Sequence, residues 1–271
     1  MREIDVLHQG TARAICCFAI DDVIVDPGPE SSHRTLLEGL DGFVPRAILL
    51  THIHFDHAGA TGALCRLWPE AEVWVHERGA RHIADPSRLV ASAKRIYGDQ
   101  FDRLWGEVIP VDEARLRVLG GGERRDGFRV AYTPGHASHH VAYLHEDSGT
   151  AFTGDVAGVK IGEGPVLPPT PPPDIDVELW LASMDVVEAW RPQRLAVTHF
   201  GAHDPAGHLD ALRERLRLWA DRARELDAAG FEEWVRAEMH SDGSYLEAMP
   251  PDTLYAGLER YWAKRLSSGH V

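Results

Sequence analysis

Histidine and aspartate side chains are concentrated in residues 51–59, which read THIHFDHAG. His52, His54 and Asp56 are two residues apart, so an extended backbone would direct all three side chains to the same side. His57 follows directly, before the segment AGATG, at which a helix can begin. Imidazole nitrogens and carboxylate oxygens are ligands of zinc and related metal ions. The spacing therefore predicts a metal site at the junction between a strand and a helix.

Three later segments repeat the pattern of an apolar, strand-like run followed by a histidine or an aspartate. RVAYTPGH leads to His136, TAFTGD leads to Asp155, and RLAVTHF leads to His199. If these strand ends meet in one cleft, the potential ligands are His52, His54, Asp56, His57, His136, Asp155 and His199. Seven nitrogen and oxygen donors exceed the needs of one tetrahedral ion and suit two ions that share a bridge. The alternative is that these are polar loop residues satisfied by ordinary hydrogen bonds.

Such a site predicts hydrolytic chemistry. Two cations about 3.5–4 Å apart would bind a shared water and lower its pKa from about 15.7 toward 7, which supplies a hydroxide at neutral pH. One ion can also polarise a substrate carbonyl, so hydrolysis of an ester, thioester or lactone follows. Asp56 is the candidate catalytic residue, because its carboxylate would lie beside the water and could move a proton. Plain metal ligation is the alternative role for Asp56.

The elements that must position these residues alternate short apolar runs with polar turns. Strands are predicted for RAICCFAI, DVIVDPG, RAILL, EVWVHE, FRVAYTP, HVAYLHE, TAFTGD and RLAVTHF. Helices are predicted for ATGALCRLW, for the segment from Asp85-Pro86 to Gly98, and for DVELWLASMDVVEAW. A further helix is predicted from Asp204-Pro205 to Gly230. We expect a catalytic domain in residues 1–203 and a helical extension in residues 204–271, packed on that domain or at a subunit interface.

Composition limits the class of protein. The 271 residues, 44% of them hydrophobic, can bury the core of one large domain with a modest appendage. A net charge of -14, from 28 Lys+Arg against 42 Asp+Glu, disfavours nucleic acid and anionic membranes as partners. The three cysteines include Cys16 and Cys17, whose side chains would point to opposite faces of a strand, so a reduced cytoplasmic protein is the simplest interpretation. The expected partner is a small-molecule substrate, and a homodimer is an open possibility.

The HxHxDH segment at residues 52–57, and the order of the later candidate ligands, resemble the metallo-β-lactamase-fold hydrolase superfamily. The segment IVDPG, which contains Asp26, is similar to that family's early Asp-x-Gly strand end. The resemblance implies an α/β fold, an αββα sandwich with metals at one edge, followed here by the C-terminal helices. It implies one metal held by His52, His54 and His136, a second held by Asp56, His57 and His199, and Asp155 as the bridge. Asp26, His140 and His203 would lie behind these ligands and orient them.

Within the superfamily the chain is most similar to glyoxalase II-like (hydroxyacylglutathione hydrolase-like) proteins. The resemblance rests on VHERGARHIADPSRLVASAKRIYG, TPGHASHH and TGDVAGVK, although the segment after Asp155 lacks the Gly-Lys-Phe-Tyr type pattern that grips glutathione. It implies two divalent metal ions, with zinc as the default and iron or manganese as alternatives. Two other functions stay open: a mononuclear iron enzyme of the persulfide dioxygenase type and a non-catalytic metal-binding protein. The proline-rich loop at residues 163–174 is predicted to border the active-site mouth.

Overall fold

The first half of the chain forms a six-stranded mixed sheet in the computed structural model, which describes residues 1–239 and 242–268. The strands lie in chain order across the sheet: β1 (Arg2–Asp5), β2 (Cys16–Ile20), β3 (Val23–Val25), β4 (Ala47–Leu49), β5 (Glu72–His76) and β6 (Leu116–Leu119). The first three strands are antiparallel, whereas β3, β4, β5 and β6 pair in parallel. The carboxyl ends of β3 and β4 therefore meet at the same edge.

The second half of the chain forms a second mixed sheet. Its spatial order is β12-β11-β10-β9-β8-β7, formed by β7 (Arg124–Arg125), β8 (Phe128–Tyr132), β9 (Val141–His145), β10 (Thr150–Phe152), β11 (Arg194–Val197) and β12 (Gly201–His203). β10 pairs in parallel with β11, and β9 runs antiparallel to both β8 and β10. The strands β8, β10 and β11 thus point the same way, and their carboxyl ends share one edge.

Helices cover the outer faces of both sheets. They are α1 (His33–Leu40), α2 (Phe55–Ala58), α3 (Thr61–Leu67), α4 (Glu77–Ala84), α5 (Ser87–Tyr97), α6 (Phe101–Trp105), α7 (Val177–Ala189), α8 (His208–Glu225), α9 (Ala228–Glu238), α10 (Gly243–Ala248) and α11 (Pro251–Ser268). Among the described residues, no helix is long and apolar enough to cross a membrane.

Alternating side chains of the strands build the central core. In β2, Cys16 and Phe18 face the second sheet and pack with Tyr143 and Phe152, whereas Cys17 faces the helices outside. This is the two-residue period expected of a strand between two apolar layers. The expectation that the two adjacent cysteines point to opposite faces is confirmed, and both are buried free thiols.

The C-terminal helices pack on the outer face of the second sheet. Leu212, Leu216 and Trp219 of α8 share one apolar cluster with Leu195 and Val197 of β11. The layers are therefore helices, sheet, sheet, helices, and the predicted αββα sandwich with C-terminal helices is confirmed. The domain boundary at residue 203 stays a prediction.

Two helix ends differ from the sequence prediction. α8 begins at His208 after Gly207, not at Asp204, because the Asp204 carboxylate accepts a hydrogen bond from the Ala206 backbone N–H in a turn before the helix. Gly230 does not end a helix but lies in the first turn of α9, where its N–H donates to the capping carboxylate of Asp227. Short polar side chains that bond nearby backbone explain both differences.

Candidate metal centre

Three histidines form the first ligand group at the sheet edge. His52 and His54 follow β4, and His136 follows β8. His54 Nδ1 lies 2.9 Å from His52 Nε2 and 3.1 Å from His136 Nε2, so three nitrogens converge on one point. Burial first, and then the neighbouring imidazoles, lower the pKa of His52 well below its ordinary value and that of His54 to about 4. Neutral imidazole is the form that binds a metal ion.

Two histidines and an aspartate form the second ligand group. His57 lies in α2, His199 follows β11, and the Asp56 carboxylate lies between their Nε2 atoms, 3.6 Å from His57 and 3.4 Å from His199. Burial alone would lower the pKa of His57, but the carboxylates of Asp155, Asp56 and Asp26 outweigh it and raise this pKa well above its ordinary value. In the metal-free chain His57 therefore carries a proton that balances carboxylate charge.

The carboxylate of Asp155 connects the two groups. Its Oδ1 lies 3.3 Å from His57 Nε2 and 3.6 Å from His199 Nε2, whereas its Oδ2 lies 3.3 Å from His136 Nε2. One oxygen thus faces the second group and the other faces the first. Gly154 makes this possible, because its φ is +46° and a Cβ there would lie 2.4 Å from Thr51 Oγ1 and 2.9 Å from His140 Nε2.

Asp26 organises the site from behind. It has no exposed surface, and it follows β3 with a φ of 49°. Its Oδ1 accepts from the Thr51 backbone N–H at 2.8 Å, and its Oδ2 accepts from Thr51 Oγ1 at 2.6 Å and from Thr198 Oγ1 at 2.7 Å. His57 Nδ1 donates to the same Oδ2 at 2.8 Å. One carboxylate thus ties the ends of β3, β4 and β11 together and leaves Nε2 of His57 to face the second group.

Backbone carbonyls orient two more ligand histidines in the same way. His136 Nδ1 bonds Pro169 O at 3.0 Å, and His199 Nδ1 bonds Ala14 O at 2.6 Å. In both rings Nδ1 is the donor, so in a neutral ring Nε2 presents a lone pair to the site.

Two buried atoms show that the candidate ligands suit a metal ion. His57 Nε2 and Asp155 Oδ1 are shielded from solvent and have no hydrogen-bond partner among the described residues. The two atoms lie 3.3 Å apart as an ion pair without a hydrogen bond, and a cation that replaces the proton of His57 would bind both. The nitrogen and oxygen donors, without a cysteine, match zinc, iron or manganese. The residues present fit the metal that the sequence predicts.

The two histidines predicted to support the ligands, His140 and His203, have different surroundings. His140 packs its ring against His52, with centroids 5.1 Å apart, and His140 Nδ1 contacts the Thr133 hydroxyl at 2.8 Å. His203 Nε2 lies 3.0 Å from the carbonyls of Lys160 and Phe200. His140 therefore touches a candidate ligand directly, whereas His203 holds the backbone next to His199. Their roles in metal binding stay predictions.

A cavity of about 670 Å³ opens beside the ligands, and His54, Asp56 and Asp155 form part of its wall. An aromatic wall, comprising Phe55, Tyr97 and Trp105, lies on one side. A C-terminal wall, comprising residues 247–250 with Thr253 and Leu254, also lines it. The proline-rich segment contributes Pro169 and residues 171–174, so this loop borders the cavity beside the candidate ligands.

The two sides of the cavity are joined by polar contacts. His8 Nε2 lies 3.4 Å from Glu247 Oε1, and the His8 ring stacks on Trp105. The Thr170 hydroxyl donates to Leu254 O at 3.0 Å, which attaches α11 to the proline-rich segment. These contacts fix the C-terminal wall relative to the metal ligands.

Sequence reasoning missed several residues of the site. Thr51 and Thr198 carry the clearest signal, because each directly precedes a candidate ligand histidine in the pair Thr-His. His8, Tyr97 and Trp105 lack such a signal, because only the tertiary fold brings them to the cavity.

The fold and the ligand groups define a class of protein. The chain belongs to the metallo-beta-lactamase superfamily, whose family model matches residues 21–228. This is a superfamily of metal-dependent hydrolases, so the family resemblance predicted from the sequence is confirmed.

Particular relatives are similar over most of this region. The metallo-beta-lactamase fold-containing protein ST1585 of Sulfurisphaera tokodaii is 30% identical over 203 residues, which cover 72% of this chain and 74% of the relative. The crystal structure of ST1585, described as an archaeal superfamily protein from Sulfolobus tokodaii, matches with a TM-score of 0.64 and 28% identity, over 74% of this chain and 80% of that one.

Two further relatives bear on the chemistry. A structure of TTHA1623 in a di-iron-bound form matches with a TM-score of 0.57 and 26% identity, over 73% of this chain and 93% of that one. The hydroxyacylglutathione hydrolase of Enterobacter sp. (strain 638) is 34% identical over 133 residues, which cover 49% of this chain but only 41% of that enzyme. The likeness to glyoxalase II-like enzymes is therefore confined to part of their length.

Proposed function

We propose that the protein is a binuclear metal-dependent hydrolase that cleaves a small ester, thioester or lactone. The observation that carries this proposal is the position of Asp155, whose two oxygens face two separate ligand groups. A carboxylate between two sets of donors suits two ions held close together. We assign His52, His54 and His136 to one ion, Asp56, His57 and His199 to the other, and Asp155 to both.

The residues of this chain would prepare the site before substrate binds. When bound, a pair of divalent ions supplies Lewis acidity and activates water at neutral pH. Asp26, Pro169 O and Ala14 O fix the ring orientations of His57, His136 and His199, so the ligand atoms need little rearrangement. The Asp56 carboxylate lies on the cavity wall, where it can accept a proton from a bound water.

The cavity supports a substrate with an apolar group. Its volume lies within the range of about 300–1,000 Å³ that is usual for small-molecule sites. Apolar side chains such as Leu89, Trp105 and Met249 line it. An acyl group larger than acetyl would bury apolar surface there, at roughly 25 cal/mol per Å².

The proposal is tested with metal content and a substrate panel. Protein purified without added metal should contain about two ions per chain, with zinc expected first and iron or manganese as alternatives. The panel should include acetyl, hexanoyl and phenylacetyl thioesters, a lactone and a hydroxyacyl thioester of glutathione. The metal-loaded protein should hydrolyse at least one of them, and chelation should abolish the activity.

A matched pair of variants separates the metal site from general effects. Asp155→Asn should lose hydrolysis and bound metal with the fold preserved, whereas Asp147→Asn, in the exposed turn between β9 and β10, should change neither. Equal activity of the metal-free and metal-loaded proteins would contradict the proposal. A single iron together with oxygen consumption on glutathione persulfide would favour the dioxygenase alternative.

We also propose that the protein works in the cytoplasm on a small molecule, without nucleic acid or membrane. A homodimer is part of the same proposal, and light scattering coupled to size-exclusion chromatography tests it.

A further inference from the structure

The aromatic wall of the cavity is a connected cluster. Phe55 meets Phe101 edge to face at 5.3 Å, and Tyr97 meets Trp105 edge to face at 5.4 Å. Leu89 and Ala93 of α5 pack into the same cluster. Such contacts hold each ring in one orientation, so the position of the Tyr97 ring on the cavity wall is set by its neighbours.

The hydroxyl of Tyr97 differs from those of most other tyrosines. The hydroxyls of Tyr132, Tyr143, Tyr245 and Tyr261 donate to Ser138 O, Leu50 O, Pro165 O and the Glu178 carboxylate, respectively. In the described part of the chain, Tyr97 and Tyr255 are the tyrosines whose hydroxyl has no hydrogen-bond partner. Tyr97 lines the cavity that holds the metal ligands, and Tyr255 does not.

The Tyr97 hydroxyl is a donor at every pH at which the enzyme would work. Burial, followed by the negative charges of Asp56 and Asp252, raises the pKa of Tyr97 to about 12. Asp56 belongs to the second ligand group and Asp252 to the start of α11, so negative charges from both the metal site and α11 act on the Tyr97 hydroxyl. A half-buried phenol on a cavity wall, without a protein acceptor, donates to water when the cavity holds no ligand and is free to donate to a bound molecule instead.

We propose that Tyr97 is a substrate-binding residue, whose hydroxyl donates a hydrogen bond to the carbonyl oxygen of a bound ester or thioester while the apolar acyl group packs on the aromatic wall. This inference rests on the proposed function. The carbonyl oxygen is the substrate atom on which negative charge develops during hydrolysis, and a donor fixed in advance stabilises that charge more than the ground state. The aromatic wall supplies a rigid apolar surface beside this donor.

The first test is the effect of Tyr97→Phe, which removes the hydroxyl and keeps the ring. With the best substrate of the panel, kcat should fall about 10- to 100-fold, as expected for a hydrogen bond to a developing charge, while KM should rise about 10-fold at most, because the ground-state carbonyl loses the same donor. Metal content and the circular dichroism spectrum should stay as in the wild type. Tyr255→Phe is the matched control, because it removes a partnerless hydroxyl outside the cavity, and its kinetics should be unchanged.

A binding experiment gives a second readout that does not need turnover. The probes are a ketone analogue of the hexanoyl thioester, which keeps the carbonyl but has no leaving group, and the corresponding thioether, which lacks the carbonyl oxygen. Calorimetric titration into metal-loaded protein should show that Tyr97→Phe weakens the ketone about 10-fold and leaves the thioether unchanged. A change confined to the carbonyl compound isolates the hydrogen bond from packing.

The outcomes separate this inference from the proposed function. If the wild type hydrolyses nothing in the panel, the proposed function fails, and the ketone and thioether titrations still decide whether Tyr97 binds a carbonyl. If the wild type is active and Tyr97→Phe has the same kcat, the inference is overturned. Equal weakening of the ketone and the thioether overturns it as well, because the ring would then act only through packing. No binding of either probe by the wild type also overturns it, because the cavity would then not accept the acyl carbonyl group.

Discussion

Replacing Asp26 by Asn should weaken metal binding without unfolding the protein. The carboxylate accepts one bond at Oδ1 and three at Oδ2. An amide offers one acceptor and one donor group in the same shape. If its oxygen takes the Oδ2 position, its NH₂ faces the Thr51 backbone N–H; in the other orientation, its NH₂ faces Thr51 Oγ1, Thr198 Oγ1 and His57 Nδ1. At least one buried donor is left without an acceptor in either case.

The size of the effect follows from these contacts. One unsatisfied buried donor costs about 1–3 kcal/mol of folding free energy. His57 also loses the negative partner that orients its ring, and loss of such a partner lowers metal affinity by about 10- to 100-fold. The backbone is not the cause, because Asn tolerates the left-handed conformation that Asp26 adopts. We therefore expect a folded variant that releases metal to a weaker chelator than the wild type does.

The assay is metal retention after dialysis against a graded series of chelators, with thermal unfolding measured on the same samples. Asp41→Asn is the matched control, because Asp41 has the same φ of 49° but an exposed side chain. It should match the wild type in both measurements. If Asp26→Asn retains both ions at the same chelator strength as the wild type, the inference that Asp26 positions His57 is refuted.

Three further predictions concern protons and packing. Carboxylates hold His57 protonated in the metal-free chain, so metal uptake near pH 7 should release protons, and metal affinity should weaken as the pH falls. Calorimetric titration of metal in buffers of different ionisation enthalpy measures the number of protons released. Zero net release would contradict the prediction. Burial lowers the pKa of His208 from 6.5 to about 4, so the unfolded chain binds the extra proton and stability should fall as the pH drops from 6.5 to 4, by about 3 kcal/mol at most. His208→Gln should flatten that part of the stability curve in urea titrations, and an unchanged slope would count against burial as the cause. A Cβ on Gly257 would lie 2.1 Å from Thr170 O in the proline-rich loop, so Gly257→Ala should destabilise the fold and alter the preference for acyl-chain length. Gly243→Ala is the control, because its Cβ would meet nothing within 4 Å. Kinetics on the thioester series measure the acyl-chain preference of both variants.

The cluster of candidate ligands could be predicted from sequence because each ligand lies at, or within a few residues of, the end of a strand. The apolar runs before Asp26, His52, Asp155 and His199 fix where each strand ends, and parallel strands bring such ends to one edge. The two-residue spacing of the first histidines adds a local signal. Helix boundaries near Asp204 were not predictable in this way, because a turn and a cap use the same short polar side chains.

The cavity was not predictable, because its walls come from distant parts of the chain. Trp105 and Glu247 are far apart in sequence and meet only through His8, which stacks on one and pairs with the other. Sequence periodicity reports which face of a helix is apolar, not which segment it meets. Most of the aromatic residues of the C-terminal helices, such as Trp219 and Phe231, pack in the core.

Substrate choice is therefore expected to depend on a part of the chain that lies outside the family match. The seven candidate ligands lie within residues 21–228, whereas the C-terminal wall, residues 247–250 with Thr253 and Leu254, lies beyond them. That wall is held in place by contacts of its own, from His8 to Glu247 and from Thr170 to Leu254. Relatives that share the ligands can differ in this wall. Shared ligands therefore predict shared metal chemistry, but they do not predict a shared substrate. A search for the substrate should start from the shape and polarity of this cavity, in which the rings of Tyr97 and the aromatic wall are held in place by their neighbours.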